Sequence, residues 1–482
     1  MIDLRPVFQV VGTLLCLLAV SMLLPAAIDI RDVDPEWRVF VVSGGLTLFV
    51  GLVLVTGTRS SIRTMTIRQV FLAATCGWVV PGLFAALPLS FGPLHLSLTD
   101  AVFEAVSGLT TTGATVIHGL DGLPRGLLLW RVLLQWMGGG AGILMALAVL
   151  PELAVGGMQM FRIEMAGPSE RASPRATRIA SAVAALYAGM TFVLALLLWL
   201  AGMTGFEALA HAMSAISTGG FSTADASVGH FDNAAIDIIV TLGMIIGGMP
   251  FLLFFQLAQG KVAKAMRDQQ VRWYLSLLAL AIVGVSLWLH SSRGLPPLEA
   301  LRHGAFTVAS VMTGTGLFTA EYGGWGALPL AILFFLTFVG GCSGSTASGI
   351  KVFRFQFLVA DARMQVRRLL RPHAVLIPTF NNRPIPADVR VSVMGFLFVY
   401  ALSFAILSMA LAFLGLDFIT AISGAASALA NLGPGLGGEI GPGGSYADLP
   451  DAAKWLLASG MLFGRLEMFS VLILFVPSFW RL

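Results

Sequence analysis

Ser107-Gly108-Leu109-Thr110-Thr111-Thr112-Gly113 returns three times in the same seven-residue register, as Ser214-Ala215-Ile216-Ser217-Thr218-Gly219-Gly220, Ser310-Val311-Met312-Thr313-Gly314-Thr315-Gly316 and Ser427-Ala428-Leu429-Ala430-Asn431-Leu432-Gly433. Each copy opens on Ser, carries an apolar residue two places later, allows only small residues at the fourth place and closes on Gly. The copies lie roughly a hundred residues apart, too far for a solenoid repeat and right for a unit with two membrane crossings. The chain reads as four fused copies of one membrane hairpin.

Composition agrees. Of 482 residues, 57% are hydrophobic and 11% charged, and the mean hydropathy is +0.87, which places the chain in a lipid bilayer and excludes an ordinary soluble globule. The formal charge of +4 is small, and the basic residues sit in particular connections, so no nucleic acid is expected as partner. Cys16, Cys76 and Cys342 each lie in an apolar segment without metal-ligand spacing and read as buried thiols. The run from Val7 to Leu24 reads as a retained first span, with Pro25-Ala26-Ala27 as a weak cleavage alternative.

The expected fold is an all-α polytopic membrane protein of four fused helix–pore-loop–helix repeats in pseudo-fourfold arrangement, like a potassium channel. An extra N-terminal helical hairpin precedes them, making about ten transmembrane helices and four half-length pore helices. The expected units are the hairpin at 1–68 and repeats at 69–178, 179–272, 273–390 and 391–482. Half-length pieces are read at Leu98–Thr110, Phe206–Ser217, Leu298–Met312 and Phe418–Ala430, and the second spans at Leu127–Leu150, Ile236–Leu257, Leu328–Val339 (interrupted) and Lys454–Val476. Connections between units hold Arg59, Arg63 and Arg68; Arg162, Arg171, Arg175 and Arg178; Lys261, Lys264, Arg267 and Arg272; and eight basic residues from Lys351 to Arg390. The positive-inside rule makes these cytoplasmic, with both termini. The four loops then approach from outside, among acids such as Asp100, Glu104, Glu207, Asp225 and Asp417 that would concentrate cations at the mouth.

Backbone that enters lipid and turns back survives only beside water or buried in protein. Four such loops around one axis would direct free carbonyls at it, replacing the hydration shell of a monovalent cation as a potassium filter does. Glycine at the last place tolerates positive φ and close approach, and the helices before the loops aim their partly negative C-terminal ends at the cation. The alternative is that small residues merely let helices pack closely.

With Thr112-Gly113-Ala114-Thr115, Gly219-Gly220-Phe221-Ser222, Thr315-Gly316-Leu317-Phe318 and Leu432-Gly433-Pro434-Gly435, the chain resembles, over essentially its whole length, the Trk/Ktr/HKT superfamily of potassium-translocating proteins, and its added hairpin suggests the TrkH branch. By that resemblance Gly113, Gly220, Gly316 and Gly433 are the filter glycines, and Thr111, Thr112, Thr218, Gly219, Thr315, Asn431 and Leu432 complete the K+-binding loops. Glycine at all four sites is similar to the potassium-selective members; the fourth loop, with Leu432 and Pro434, is the loosest match. The resemblance implies potassium uptake across the bacterial inner membrane, K+ as transported ion and no organic cofactor. It also implies a homodimer on a cytoplasmic ring of nucleotide-binding TrkA-type subunits. The basic connection from Lys351 to Arg390 is then a docking surface, or simply the positive-inside signal.

Below the filter, Gly340-Gly341-Cys342-Ser343-Gly344-Ser345-Thr346-Ala347-Ser348-Gly349 interrupts a span with residues a helix disfavours. It resembles the family's intramembrane gating loop; a tightly packed small-residue helix is the alternative. Arg465 lies near the centre of the last span, where an Arg needs a polar cavity or partner, and the family has an Arg there that adds a positive barrier. Glu467 is on another helix face and a poor partner for it. Lys351 either joins the gate or snorkels inward. Gly138-Gly139-Gly140-Ala141-Gly142 and Gly247-Gly248 with Pro250 interrupt the corresponding spans of the first two repeats and read as packing glycines. His211 and His303 read as local hydrogen-bonding residues.

Gly341-Cys342-Ser343-Gly344 also fits the serine motif of intramembrane proteases, but the only later His is His373, in the basic connection. No Walker A or dinucleotide motif is present, so the chain is not read as an enzyme. An ion-coupled K+/H+ or K+/Na+ symporter using the same site is the alternative function, with Glu467 and Asp237 as the acids such a carrier would use.

Overall fold

The structure is a computed structural model that describes residues 3–58, 65–149, 153, 156–158, 173–263, 267–374, 376–381 and 383–481. Arg59, Arg63, Arg162, Arg171 and Lys264, read above as cytoplasmic, lie outside the described residues. Among the described residues, the regular structure is helical apart from a two-residue ladder pairing Thr379–Phe380 with Arg383–Pro384.

Among the described residues, seven helices are long and apolar enough to cross a membrane: Arg5–Arg31, Trp37–Gly57, Ile67–Phe91, Arg125–Leu147, Ala180–Leu200, Gln269–Arg293 and Ala387–Phe413. Two bent helix pairs are apolar and long enough when each is taken as one span, Ala234–Gly247 with Phe251–Ala258 at 95° and Asp451–Arg465 with Phe469–Phe475 at 107°. The tenth expected crossing is shorter. Ala327–Val339 has 13 residues and stops at Gly340, whose φ of 70° leaves the helical region.

Four short helices lie between the spans: Leu98–Leu109, Gly205–Ser217, Pro297–Thr313 and Phe418–Ala430. At 1.5 Å per residue they are roughly 18–26 Å long, short of the ~30 Å hydrocarbon core. Their starts are set by caps. Ser97 accepts from the Asp100 N–H at 3.1 Å, Thr204 and Glu207 form a capping box, the third opens on Pro297, and Asp417 accepts from the Ile419 and Thr420 N–H groups. Asp100, Glu207 and Asp417, three of the acids named above, thus stand at helix N-termini, while Asp225 lines the cavity described below. Glu104 is a plainer correction: it is fully buried and paired with Arg131 at 2.8 Å.

The N-terminal hairpin docks through small residues. A side chain at Gly12 would meet Leu54 Cβ at 2.8 Å, and one at Gly51 would meet Cys16 Sγ at 2.8 Å, so the two spans cross closely. Buried Asp29 accepts from the Gly126 N–H at 2.7 Å and so caps the Arg125–Leu144 helix of the first repeat. Cys342 is buried as expected, whereas Cys16 and Cys76 are only partly so.

Candidate functional site

The seven-residue pattern is a helix stop used four times. In each copy the N–H of the sixth residue donates to the carbonyl of the opening Ser: Thr112 to Ser107 at 2.8 Å, Gly219 to Ser214 at 2.9 Å, Thr315 to Ser310 at 2.8 Å and Leu432 to Ser427 at 3.0 Å. The N–H of the fifth residue donates to the carbonyl of the second: Thr111 to Gly108, Thr218 to Ala215, Gly314 to Val311 and Asn431 to Ala428. This pair of bonds is the Schellman C-cap, which requires a left-handed residue at the fifth place. Thr111, Thr218, Gly314 and Asn431 stand there with φ of 57°, 52°, 73° and 53°. Two of them are β-branched, a conformation costing roughly 1–3 kcal/mol.

The closing glycines turn left-handed again, with φ of 84°, 90°, 82° and 100° for Gly113, Gly220, Gly316 and Gly433. Each packs against the next repeat. A Cβ on Gly113 would strike the Gly219 carbonyl oxygen, one on Gly220 that of Thr315, one on Gly316 that of Leu432, and one on Gly433 that of Thr112. The contacts run from the first repeat to the second, third and fourth and back to the first, closing a ring. All four glycines line a single cavity of about 200 Å³, with Phe221, Phe318, Pro434 and Tyr446 in its wall.

Hydroxyls and amides brace the loops. Thr110 and Thr112 share a hydrogen bond of 2.8 Å, and Thr313 and Thr315 one of 2.6 Å. Asn431 Nδ2 donates to Thr112 Oγ1 and to the Met461 carbonyl, both at 2.9 Å, tying the fourth loop to the first. Arg131 donates from Nη2 to Thr115 Oγ1 at 3.0 Å, and its guanidinium lies 4.2 Å from the centre of the Phe221 ring.

Directly beneath, Gly340–Gly349 is an irregular buried segment, not a packed helix. Thr346 joins it to the second repeat: Oγ1 donates to the Ile216 carbonyl (3.0 Å) or the Gly247 carbonyl (2.9 Å), and Thr218 Oγ1 donates to it at 3.2 Å. Elsewhere the Cys342 N–H donates to the Gly248 carbonyl at 2.9 Å, and the Ser343 N–H to Gln270 Oε1 at 2.7 Å. Arg465 is buried against the same segment. Its Nη1 reaches the Thr346 carbonyl and Ser348 Oγ, and its Nη2 the Gly138 carbonyl, each at 2.9 Å.

A family model described as "TrkH: Cation transport protein" matches residues 38–482 of this chain. The chain belongs to the TrkH family. It is 42% identical to the Trk system potassium uptake protein TrkI of Halomonas elongata over 99% of this chain and 97% of that one. It is 37% identical to the Trk system potassium uptake protein TrkH of Escherichia coli K12, over 99% of both. The crystal structure of the potassium transporter TrkH from Vibrio parahaemolyticus superposes with a TM-score of 0.92 at 36% identity, covering 99% of this chain and 100% of that one. The TrkH-family fold is thus an all-α, multi-pass membrane architecture here.

The residues read from sequence fall in two adjoining layers of this TrkH-family chain. Thr111, Thr112, Gly113, Thr218, Gly219, Gly220, Thr315, Gly316, Asn431, Leu432 and Gly433 meet in the ring; Gly340–Gly349 and Arg465 meet below it. Lys351 does not snorkel: it is buried, with Nζ 3.3 Å from Glu467 Oε1. Arg354, counted only as a basic cytoplasmic residue, is wholly buried and pairs with the other Glu467 oxygen. Asp237, the other acid a coupled carrier would use, lies 3.5 Å from Arg302 Nε. Of the inner-span glycines read as packing, a Cβ on Gly138 or Gly247 would strike the carbonyl of Leu109 or Ile216; Gly464, which the sequence reading does not single out, stands likewise against the carbonyl of Leu429, and the three carbonyls hold the third place of three loops. Gly142 instead leaves room for the Arg465 guanidinium. His211 bonds the Glu207 carbonyl and Ser222 Oγ, and His303 lies 3.3 Å from Thr319 Oγ1.

Proposed function

We propose that this chain carries potassium ions across the bacterial inner membrane through the ring formed by Gly113, Gly220, Gly316 and Gly433. The repeats are the units 69–178, 179–272, 273–390 and 391–482, with 1–68 as the added hairpin. One observation carries the reading: four glycines from four loops line one cavity, each held against a carbonyl of the next loop. A carbonyl ring is the chemistry that replaces a cation's hydration shell. The relatives' names, potassium uptake proteins, give the ion.

The segment Gly340–Gly349 is the gate, and Arg465 adds positive charge to it. A guanidinium beside the path raises the barrier to a cation. Because Glu467 and Asp237 are each held by a basic side chain, passive flux is favoured over proton-coupled symport. The cavity faces the periplasm and both termini the cytoplasm, as the basic connections require. A homodimer on a cytoplasmic TrkA-type nucleotide-binding ring supplies regulation, which no nucleotide motif in this chain provides.

The test is K+ and Na+ flux into liposomes holding the purified chain, with Gly316→Ser and Arg465→Ala beside it. Potassium passing ahead of sodium, a preference eroded by Gly316→Ser and flux raised by Arg465→Ala support the filter and gate. If neither ion moves even with the partner ring added, or Gly316→Ser changes nothing, the four glycines are packing residues.

A further inference from the structure

We infer that Gln135, which lies outside all four copies of the pattern, is a specificity-determining positioning residue: its carboxamide holds the Gly219 carbonyl and makes the second quarter of the ring unlike the other three. The inference rests on reading the four loops as an ion filter.

Gln135 stands on the Arg125–Leu144 helix of the first repeat and is completely buried. Its Oε1 accepts from the Phe221 N–H at 3.1 Å and from Ser214 Oγ at 3.3 Å, and its Nε2 donates to the Gly219 carbonyl. The orientation follows from chemistry. A backbone N–H only donates, so the amide oxygen faces Phe221 and the NH₂ group faces Gly219. One turn earlier on the same helix, Arg131 Nη1 reaches the Ser222 carbonyl at 3.4 Å. The first repeat's inner helix therefore grips the second loop at Gly219, Phe221 and Ser222. Among the described residues, the equivalent carbonyls of Thr112, Thr315 and Leu432 accept no side-chain hydrogen bond.

Discrimination between K+ and Na+ depends on the number, field strength and flexibility of the coordinating carbonyls. A carbonyl already accepting from an amide offers a cation less of its lone-pair density and is held from turning. Freed, the Gly219 carbonyl follows a smaller ion inward, so loss of the amide favours Na+ over K+. A residue that only filled space would lower both fluxes together and leave their ratio alone.

The experiment measures K+ and Na+ flux in the same liposomes for the whole chain and for Gln135→Met and Gln135→Glu. Methionine fills the volume with no donor; the glutamate carboxylate still accepts from Phe221 and repels Gly219. The expected result is a K+/Na+ ratio about fivefold lower in both, the worth of one net hydrogen bond. A ratio unchanged in folded, conducting variants overturns the inference and leaves the filter reading standing. Should neither variant fold, Gln135→Asn, which withdraws the amide by one methylene, is read the same way: a lowered ratio supports, an unchanged one overturns. If the unmodified chain shows no K+ preference, the filter reading and this inference fall together.

Discussion

The four loops and the four inner spans beneath them are parts of the same repeats, yet one set is nearly uniform and the other is not. Every loop makes the same two backbone bonds, the same left-handed turn and the same closing glycine contact. Beneath them the first inner span passes into a π-helical turn at Met145–Val149, the second bends by 95°, the third dissolves into Gly340–Gly349 and the fourth bends by 107°. On the proposed function, only the upper layer has a task that needs equivalent contributions from every repeat, a shell around a single ion. On the same proposal, the lower layer serves a path that one repeat can block, which does not require its four copies to match.

The largest break in this comparison is expected from Gly220→Ala. Its methyl group would strike the Thr315 carbonyl in a backbone of φ 90°, so K+/Na+ preference should be lost by on the order of a hundredfold in liposome flux, about two factors of 1.4 kcal/mol. Second is Glu467→Gln, which leaves Lys351 and Arg354 buried without their charge partner. It should lower the thermal unfolding midpoint in detergent by the equivalent of about 3–5 kcal/mol while leaving the preference intact. Arg465→Ala should raise K+ flux by roughly tenfold, about 1.4 kcal/mol of barrier, again with the ratio unchanged. Thr346→Val removes only hydroxyl bonds between the segment and the second repeat. It should raise flux a few-fold, at about 1 kcal/mol per net hydrogen bond. A lower-layer change that alters the K+/Na+ ratio as strongly as Gly220→Ala would dissolve the division between layers.

What could be read in the sequence follows the same line. The loops were legible because a Schellman turn and a crowded ring each restrict the residue at a fixed place, so the constraint is written locally four times. Gly340–Gly349 was legible as a segment no helix would choose. The bend at Leu466–Met468 was not, because Leu, Glu and Met are all good helix formers. There Glu467 and Met468 take φ of 58° and 45°, and the carboxylate meets Arg354, 113 residues away in sequence. Tertiary charge pairing overrides local preference, and it also turned Lys351 inward. Glu104 was misread for a related reason: its partner Arg131 stands 27 residues on, a spacing no local pattern marks.

The closing contact of the ring also orders events in the life of the chain. Asn431 and Thr112 are 319 residues apart, and the Gly433 contact on the Thr112 carbonyl closes the circle. A ribosome must therefore deliver nearly the whole polypeptide before the first loop finds its last neighbour. Three inserted repeats wait in the bilayer with an open seam, exposed to proteolysis and to wrong partners. A message cut short anywhere before the fourth glycine yields a membrane protein with helices and no ring.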